Sequence, residues 1–161
     1  MNQNKKIENV LVVEDKNSKF TTIQSLLFEV FGGSINVQRC EYVFEAQKTI
    51  EQNTFDLIVL DVSMDIVESG STGKNEGHAV LGGMLVLEHM YLLEIERPTV
   101  IVTGFDYFVS KSPNEVSGEG KTIQDISNQA RHFLGDYMLG CIKSGNLGWE
   151  KSLKSIFEGA V

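Results

Sequence analysis

Four apolar runs in this chain each end in residues that can do chemistry. VLVV leads into Glu14 and Asp15, LIVL leads into Asp61, VIV leads into Thr103, and a later run ends at Lys143. The set comprises three carboxylates, a hydroxyl and an ammonium. If these side chains meet in space, they can bind a divalent cation and handle a phosphoryl group.

Phosphoryl transfer is the chemistry that this set of groups favours. Three neighbouring carboxylates repel one another, and Mg²⁺ is usually held by one or two carboxylates together with phosphate oxygens and water. A carboxylate beside the metal can attack phosphorus and form an aspartyl phosphate. Lys143 and the metal would neutralise the phosphoryl oxygens, and Thr103 could donate to one of them.

The order of the elements predicts that these strand ends do meet. Short β-branched runs alternate with longer helical patterns, which is typical of an α/β fold with a parallel sheet wrapped by helices. We predict a doubly wound (βα)5 domain with five strands. If their order is 2-1-3-4-5, strands 1 and 3 are neighbours, so Glu14 and Asp15 lie beside Asp61. Thr103 and Lys143 would reach the same pocket from strands 4 and 5.

The element boundaries follow from periodicity and from turn residues. We predict strands over 10–13, 35–39, 55–60, 99–102 and 137–142. The predicted helices cover 19–31, 43–53, 80–95 and 123–134, and a last helix capped by Asn146 carries Trp149, Leu153, Ile156 and Phe157.

The chain length and composition exclude several classes of protein. The 161 residues suit one domain over 1–161. The net charge of −8 argues against direct nucleic-acid binding. The apolar runs are too short to cross a membrane. Cys40 and Cys141 stand alone without metal-ligand spacing, so we expect no disulfide framework or zinc site and a reducing, cytoplasmic location.

The motifs VLVVED, FDLIVLD, VIVTG and CIKSG, in that order, resemble the receiver domain of two-component response regulators. The resemblance covers nearly the whole chain, from Val10 to about Phe157. It implies a flavodoxin-like fold and Mg²⁺ as cofactor. It also implies a sensor histidine kinase or phosphotransfer protein as phosphoryl donor, a downstream effector protein as reader, and a possible homodimer.

The resemblance also implies a role for each residue of the set. Asp61 would be the phosphoacceptor, with Glu14 and Asp15 as the metal-binding pair and the backbone carbonyl of Ser63 as a further metal ligand. Thr103 would be the hydroxyl that follows the phosphoryl group, and Lys143 the ion-pairing lysine. Such a protein is not a conventional enzyme, but it would catalyse its own phosphoryl uptake and loss.

The chain departs from the receiver pattern near the lysine. Ser144 stands where a proline is usual, and Gly140 stands where the switch aromatic is usual. Tyr137, Tyr107 or Phe105 could substitute for that aromatic residue. These departures leave the phosphorylation chemistry intact and question the usual output mechanism.

Two polar segments, at about 62–79 and 105–121, are longer than most βα loops and are predicted to be insertions. They follow strands 3 and 4 and should therefore emerge around Asp61. Shortening 69–77 is expected to change phosphate lifetime or partner binding. We expect Gly82 and Gly83 to restore the register of the fold after the first insertion.

Other functions fit the residues less well. The stretch GSTGKN at 70–75 lacks the Walker spacing of a phosphate-binding loop. A phosphatase of the haloacid dehalogenase type needs a second Asp two residues after the nucleophile, where this chain has Ser63. A receiver-shaped interaction module that works without phosphorylation is the main alternative, favoured by Gly140 and the insertions.

Overall fold

The fold alternates strands and helices along the chain. A computed structural model describes residues 5–64, 82–104 and 122–161. Its strands are β1 (Asn9–Val13), β2 (Asn36–Cys40), β3 (Leu57–Leu60), β4 (Thr99–Thr103) and β5 (Met138–Lys143). Its helices are α1 (Asn17–Phe31), α2 (Val43–Gln52), α3 (Gly82–Leu92), α4 (Ile123–Leu134) and α5 (Trp149–Gly159), with a 3₁₀ turn at Gly135–Tyr137 before β5.

The five strands form one parallel sheet in the order β2-β1-β3-β4-β5, which confirms the predicted topology and fold class. Val13 pairs with Leu60 across β1 and β3, and Thr103 pairs with Lys143 across β4 and β5. The carboxyl ends of these four strands therefore lie at one end of the sheet, which we call the carboxyl end of the sheet.

The core has two layers, one on each face of the sheet. Helices α2, α3 and α4 cover one face through residues such as Ile50, Leu87 and Ile126. Helices α1 and α5 cover the other, where Leu27 and Phe157 are completely buried. Because β1, β3 and β4 have apolar neighbours on both faces, their sequences are nearly continuous apolar runs. On these three strands, polar side chains that could take part in a reaction therefore lie at the strand ends.

Helix α3 begins in close contact with the end of β3. Gly82 N donates to the Met64 carbonyl at 3.0 Å, and Gly83 N donates to the Val62 carbonyl at 3.2 Å. A Cβ on Gly82 would stand 2.3 Å from the Met64 carbonyl oxygen, and one on Gly83 would stand 2.4 Å from that of Asp61. Only glycine permits this approach. The expected role of the pair in restoring the register stays a prediction.

The predicted cap of the last helix is wrong. Helix α5 begins at Trp149, and its N-cap residue is Gly148, with a left-handed φ of 80°. Asn146 lies in the preceding turn, where its backbone N–H donates to the Lys143 carbonyl and its own carbonyl accepts from Trp149 N–H. Because both backbone groups of Asn146 are hydrogen-bonded in the turn after β5, α5 begins at Trp149 and not directly after Asn146.

The remaining boundaries differ from the predictions by a few residues. The predicted insertions lie outside the described residues, apart from 62–64 in the first, and stay predictions. None of the described helices combines the length and apolar character that a membrane span requires.

Candidate functional site

The carboxyl end of the sheet brings the three predicted acids together. Glu14, Asp15 and Asp61 can each offer a carboxylate oxygen within 4.8 Å of the other two, and we call these residues the acidic cluster. Glu14 and Asp61 are buried, with 1% and 3% of their surface exposed, whereas Asp15 is exposed. An all-oxygen set of this kind suits a hard divalent cation such as Mg²⁺.

Backbone hydrogen bonds fix the two buried acids at the ends of their strands. Glu14 N donates to the Cys40 carbonyl and Asp61 N donates to the Val13 carbonyl, each at 3.0 Å. These bonds extend the parallel ladder by one residue beyond β1 and β3. The backbone position of both acids is therefore determined by the sheet itself.

Ser63 orients the Asp61 carboxylate. Its backbone N–H and its hydroxyl both donate to Asp61 Oδ1, at 2.8 and 2.6 Å. This closed turn is typical of Asp, whose side chain accepts from the backbone two residues on. The metal-binding role predicted for the Ser63 carbonyl stays a prediction. The sequence did not predict that the Ser63 side chain orients Asp61.

Lys19 is the functional residue that sequence reasoning missed entirely. Its Nζ lies 2.7 Å from Glu14 Oε2 and 3.0 Å from Asp61 Oδ2, and it donates to the Val102 carbonyl at 2.9 Å. Only 9% of the Lys19 side chain is exposed. A signal existed in the sequence, because Lys19 shares a helical stripe with Ile23 and Leu27, which are both buried.

The electrostatics of the acidic cluster favour a bound cation. Burial raises the pKa of Glu14 to about 7, the nearby Asp61 carboxylate raises it as well, and the Lys19 ammonium acts in the opposite direction. Because the folded state disfavours the charged form of Glu14, the free energy of unfolding should fall as the pH rises from the ordinary carboxyl range to 7. A cation bound to the carboxylate would offset that loss of stability and displace the proton.

Thr103 carries a hydroxyl suited to a ligand. The residue is fully buried, and its Oγ1 has no hydrogen-bond partner among the described residues. Buried hydroxyl groups are normally paired, so an unpaired one at the end of a strand indicates a donor available to a bound group.

Lys143 lies at the same end of the sheet, opposite Thr103 in the β4–β5 register, and is partly buried. Among the residues that the structure describes, Lys19 supplies the ammonium that pairs with Asp61. The ion-pairing role of Lys143 therefore stays a prediction.

Gly140 lies in β5 opposite the side chain of Ile156 on α5. A Cβ at Gly140 would stand 2.6 Å from Ile156 Cδ1, so a larger residue there would require the end of that side chain to shift. Tyr137 lies in the 3₁₀ turn before β5, at the opposite end of the strand from Lys143. Its substitution for the switch aromatic stays a prediction. Tyr107 and Phe105 lie outside the described residues.

Comparisons with known proteins agree with this geometry. No family model matches the chain. It is 26% identical over 129 residues to the Detocs response regulatory protein DtcB of Enterobacter cloacae (strain JD6301), with 80% of each chain covered. Two similar solved structures are both receiver or response regulator proteins.

The first is the signal receiver domain of a LuxO-type repressor protein from Vibrio parahaemolyticus, with a TM-score of 0.60, 15% identity, and coverage of 96% of this chain and 92% of that one. The second is the phosphorylated cyanobacterial phytochrome response regulator RcpA, with a TM-score of 0.58, 16% identity, and coverage of 95% and 90%. The predicted resemblance to response regulators and the flavodoxin-like receiver fold are confirmed. The chain is therefore similar to response regulatory and signal receiver proteins.

Proposed function

We propose that the protein is a phospho-accepting signalling switch that takes a phosphoryl group on Asp61 with the help of Mg²⁺. The observation that carries the proposal is the acidic cluster, in which buried Asp61 lies within reach of Glu14 and Asp15 at the carboxyl end of the sheet. Sites of open α/β sheets form at this position.

The reaction is a displacement at phosphorus. A carboxylate oxygen of Asp61 attacks the phosphorus of a phosphohistidine or an acyl phosphate, the bond from phosphorus to the donor breaks, and an aspartyl phosphate forms. Ser63 holds Asp61 Oδ1 and so fixes the plane of the attacking carboxylate.

The other residues would stabilise the transferred group. Glu14, Asp15, Asp61 and the Ser63 carbonyl would hold Mg²⁺. When bound, the metal neutralises negative charge on the phosphoryl oxygens. The Thr103 hydroxyl would donate to one of those oxygens, and the Lys143 ammonium would pair with another.

The fold and its relatives suggest the partners. A sensor histidine kinase or a phosphotransfer protein would supply the phosphoryl group in the cytoplasm. An effector protein, or a second copy of this chain, would read the phosphorylated state. One structural neighbour is a phosphorylated response regulator, which supports the same chemistry here.

Intact-mass measurement tests the proposal. Incubation with acetyl phosphate, or with a phosphohistidine donor protein, should add one phosphoryl group in Mg²⁺ and none in EDTA. Asp61→Asn should abolish the uptake. Asp136→Asn, a charge-matched change at an exposed position before β5, should not. Uptake that persists in Asp61→Asn, or no uptake from either donor, would contradict the assignment.

A receiver-shaped interaction module that needs no phosphorylation is the second candidate function. It is favoured by Gly140 and by the Lys19 ammonium already paired with Glu14 and Asp61. Beryllium fluoride in Mg²⁺ mimics the phosphoryl group and separates the two functions, because only a competent phosphoacceptor site should bind it.

A further inference from the structure

We propose that Lys19 is a built-in competitor of the divalent cation, whose ammonium holds Glu14 and Asp61 until a bound metal displaces it. The proposal rests on the proposed function, because the carboxylates involved are those assigned to the metal. It adds a residue that sets the metal affinity of the resting protein.

The ammonium of Lys19 has three close oxygen neighbours. It donates a hydrogen bond to the Val102 carbonyl at 2.9 Å and forms ion pairs with Glu14 Oε2 and Asp61 Oδ2 at 2.7 and 3.0 Å. With only 9% of its side chain exposed, the ammonium has little access to water. It therefore occupies a defined position between the two buried carboxylates.

The ammonium and a divalent cation cannot share these two oxygens. Mg²⁺ would lie about 2.1 Å from each carboxylate oxygen that it binds. The Lys19 nitrogen lies 2.7 and 3.0 Å from Glu14 Oε2 and Asp61 Oδ2. A metal on both oxygens would place two positive centres side by side at a weakly solvated position, where their repulsion is poorly screened.

The charge of the acidic cluster and the flexibility of the Lys19 side chain allow Mg²⁺ to replace the ammonium. The acidic cluster carries three formal negative charges, which one ammonium compensates less completely than a dication would. The four-carbon stem of lysine is flexible, so the ammonium can withdraw while α1 stays in place. In the metal-free protein Lys19 is the counter-ion of the two buried acids. Buried carboxylates without a counter-ion would be strongly destabilising.

A calorimetric Mg²⁺ titration without any phosphoryl donor tests the proposal. The Kd of Lys19→Met and of Lys19→Gln should be at least tenfold lower than that of the wild type. Lys6→Met is the charge-matched control: Lys6 precedes β1 at the opposite end of the sheet, is exposed, and pairs with Glu8. Its Kd should stay within twofold of the wild-type value. A Kd for the Lys19 variants that equals or exceeds that of Lys6→Met would overturn the proposal.

A second measurement uses the wild-type protein, in case the Lys19 variants do not fold. Burial and hydrogen bonding should slow proton exchange enough for the Lys19 ammonium to give its own NMR signal. Saturating Mg²⁺ should shift or remove that signal. An ammonium signal unchanged at saturation would overturn the proposal.

The failure of this proposal can be told apart from the failure of the proposed function. Both experiments above measure metal binding alone, so they can succeed even if Asp61 never takes up a phosphoryl group. Conversely, Lys19 variants that bind Mg²⁺ no more tightly than Lys6→Met, in a protein whose Asp61 still takes up a phosphoryl group in Mg²⁺, would overturn the competition. That result would leave Asp61 as the phosphoacceptor.

Discussion

At the scale of single residues, β4 offers an internal comparison between two buried threonines. Thr99 and Thr103 stand at the two ends of the strand, and both are fully buried. Thr99 Oγ1 donates to the Arg97 carbonyl at 2.8 Å, whereas Thr103 Oγ1 has no partner among the described residues. The same residue type thus has a structural role at one end and an unused hydrogen-bonding group at the other.

We predict opposite effects of Thr→Val at the two positions. An unpaired buried hydroxyl costs about 1–3 kcal/mol, so Thr103→Val should raise the free energy of unfolding of the metal-free protein by about 1 kcal/mol. Thr99→Val should lower it by about 1 kcal/mol, because the Arg97 carbonyl loses its donor. Urea denaturation in EDTA measures both.

Although Thr103→Val should stabilise the fold, it should impair the reaction of Asp61. Thr103→Val should slow phosphoryl uptake by Asp61, and Thr103→Ser, which keeps the hydroxyl, should retain most of it. If Thr103→Val proves as destabilising as Thr99→Val, its hydroxyl has a structural role and the assignment is wrong.

At the scale of elements, the start of α3 packs against the backbone of Asp61 and Val62 at the candidate site. Gly83 lies so close to the end of β3 that a Cβ would come within 2.4 Å of the Asp61 carbonyl oxygen and of Val62 Cα. Both are backbone atoms, which cannot move without shifting the phosphoacceptor. The glycine therefore couples the packing of α3 to the geometry of Asp61.

We predict that Gly83→Ala destabilises the fold by about 2 kcal/mol, a typical cost of overpacking, and weakens Mg²⁺ binding because Asp61 moves. Gly159→Ala at the end of α5 is the matched control, since a Cβ there meets nothing within 4 Å. It should be neutral or slightly stabilising. Chemical denaturation and Mg²⁺ calorimetry report the two effects, and equal results for both variants would contradict the coupling.

At the scale of the whole molecule, the described residues on either side of 65–81, within and just after the first predicted insertion, lie close together. Met64 and Gly82, which flank 65–81, are joined by a hydrogen bond of 3.0 Å. Strand β3, which precedes the segment, is buried, and so are the first residues of α3, which follow it. The described contacts therefore hold the two ends of the segment together.

We predict that deleting 69–77 leaves the fold and the Mg²⁺ affinity intact. Loop-closure entropy changes slowly with length, so the free energy of unfolding should change by less than about 1 kcal/mol. Denaturation and calorimetry measure these quantities, and loss of folding would show that the segment is structural.

The same deletion should alter the lifetime of the phosphorylated state or the affinity for a partner, because the segment leaves the sheet beside Asp61. Dephosphorylation rates and partner titrations measure these effects. If neither changes in the folded deletion variant, the segment has no functional role.

The sequence by itself determined the topology and the position of the chemistry. Strand and helix patterns are local, and a βα alternation with right-handed crossovers leaves few ways to arrange a parallel sheet. Polar residues at the ends of apolar strands then had to meet, as Glu14 and Asp61 do.

The tertiary structure alone decided how those residues are connected. The ion pairs of Lys19 depend on the reach of a long side chain from α1 and on the rotation of that helix over the sheet, neither of which is a local property. The close approach of Gly83 depends on how a distant helix packs against β3. The prediction for Asn146 was wrong because capping propensity is weak and the turn after β5 competed for the same backbone.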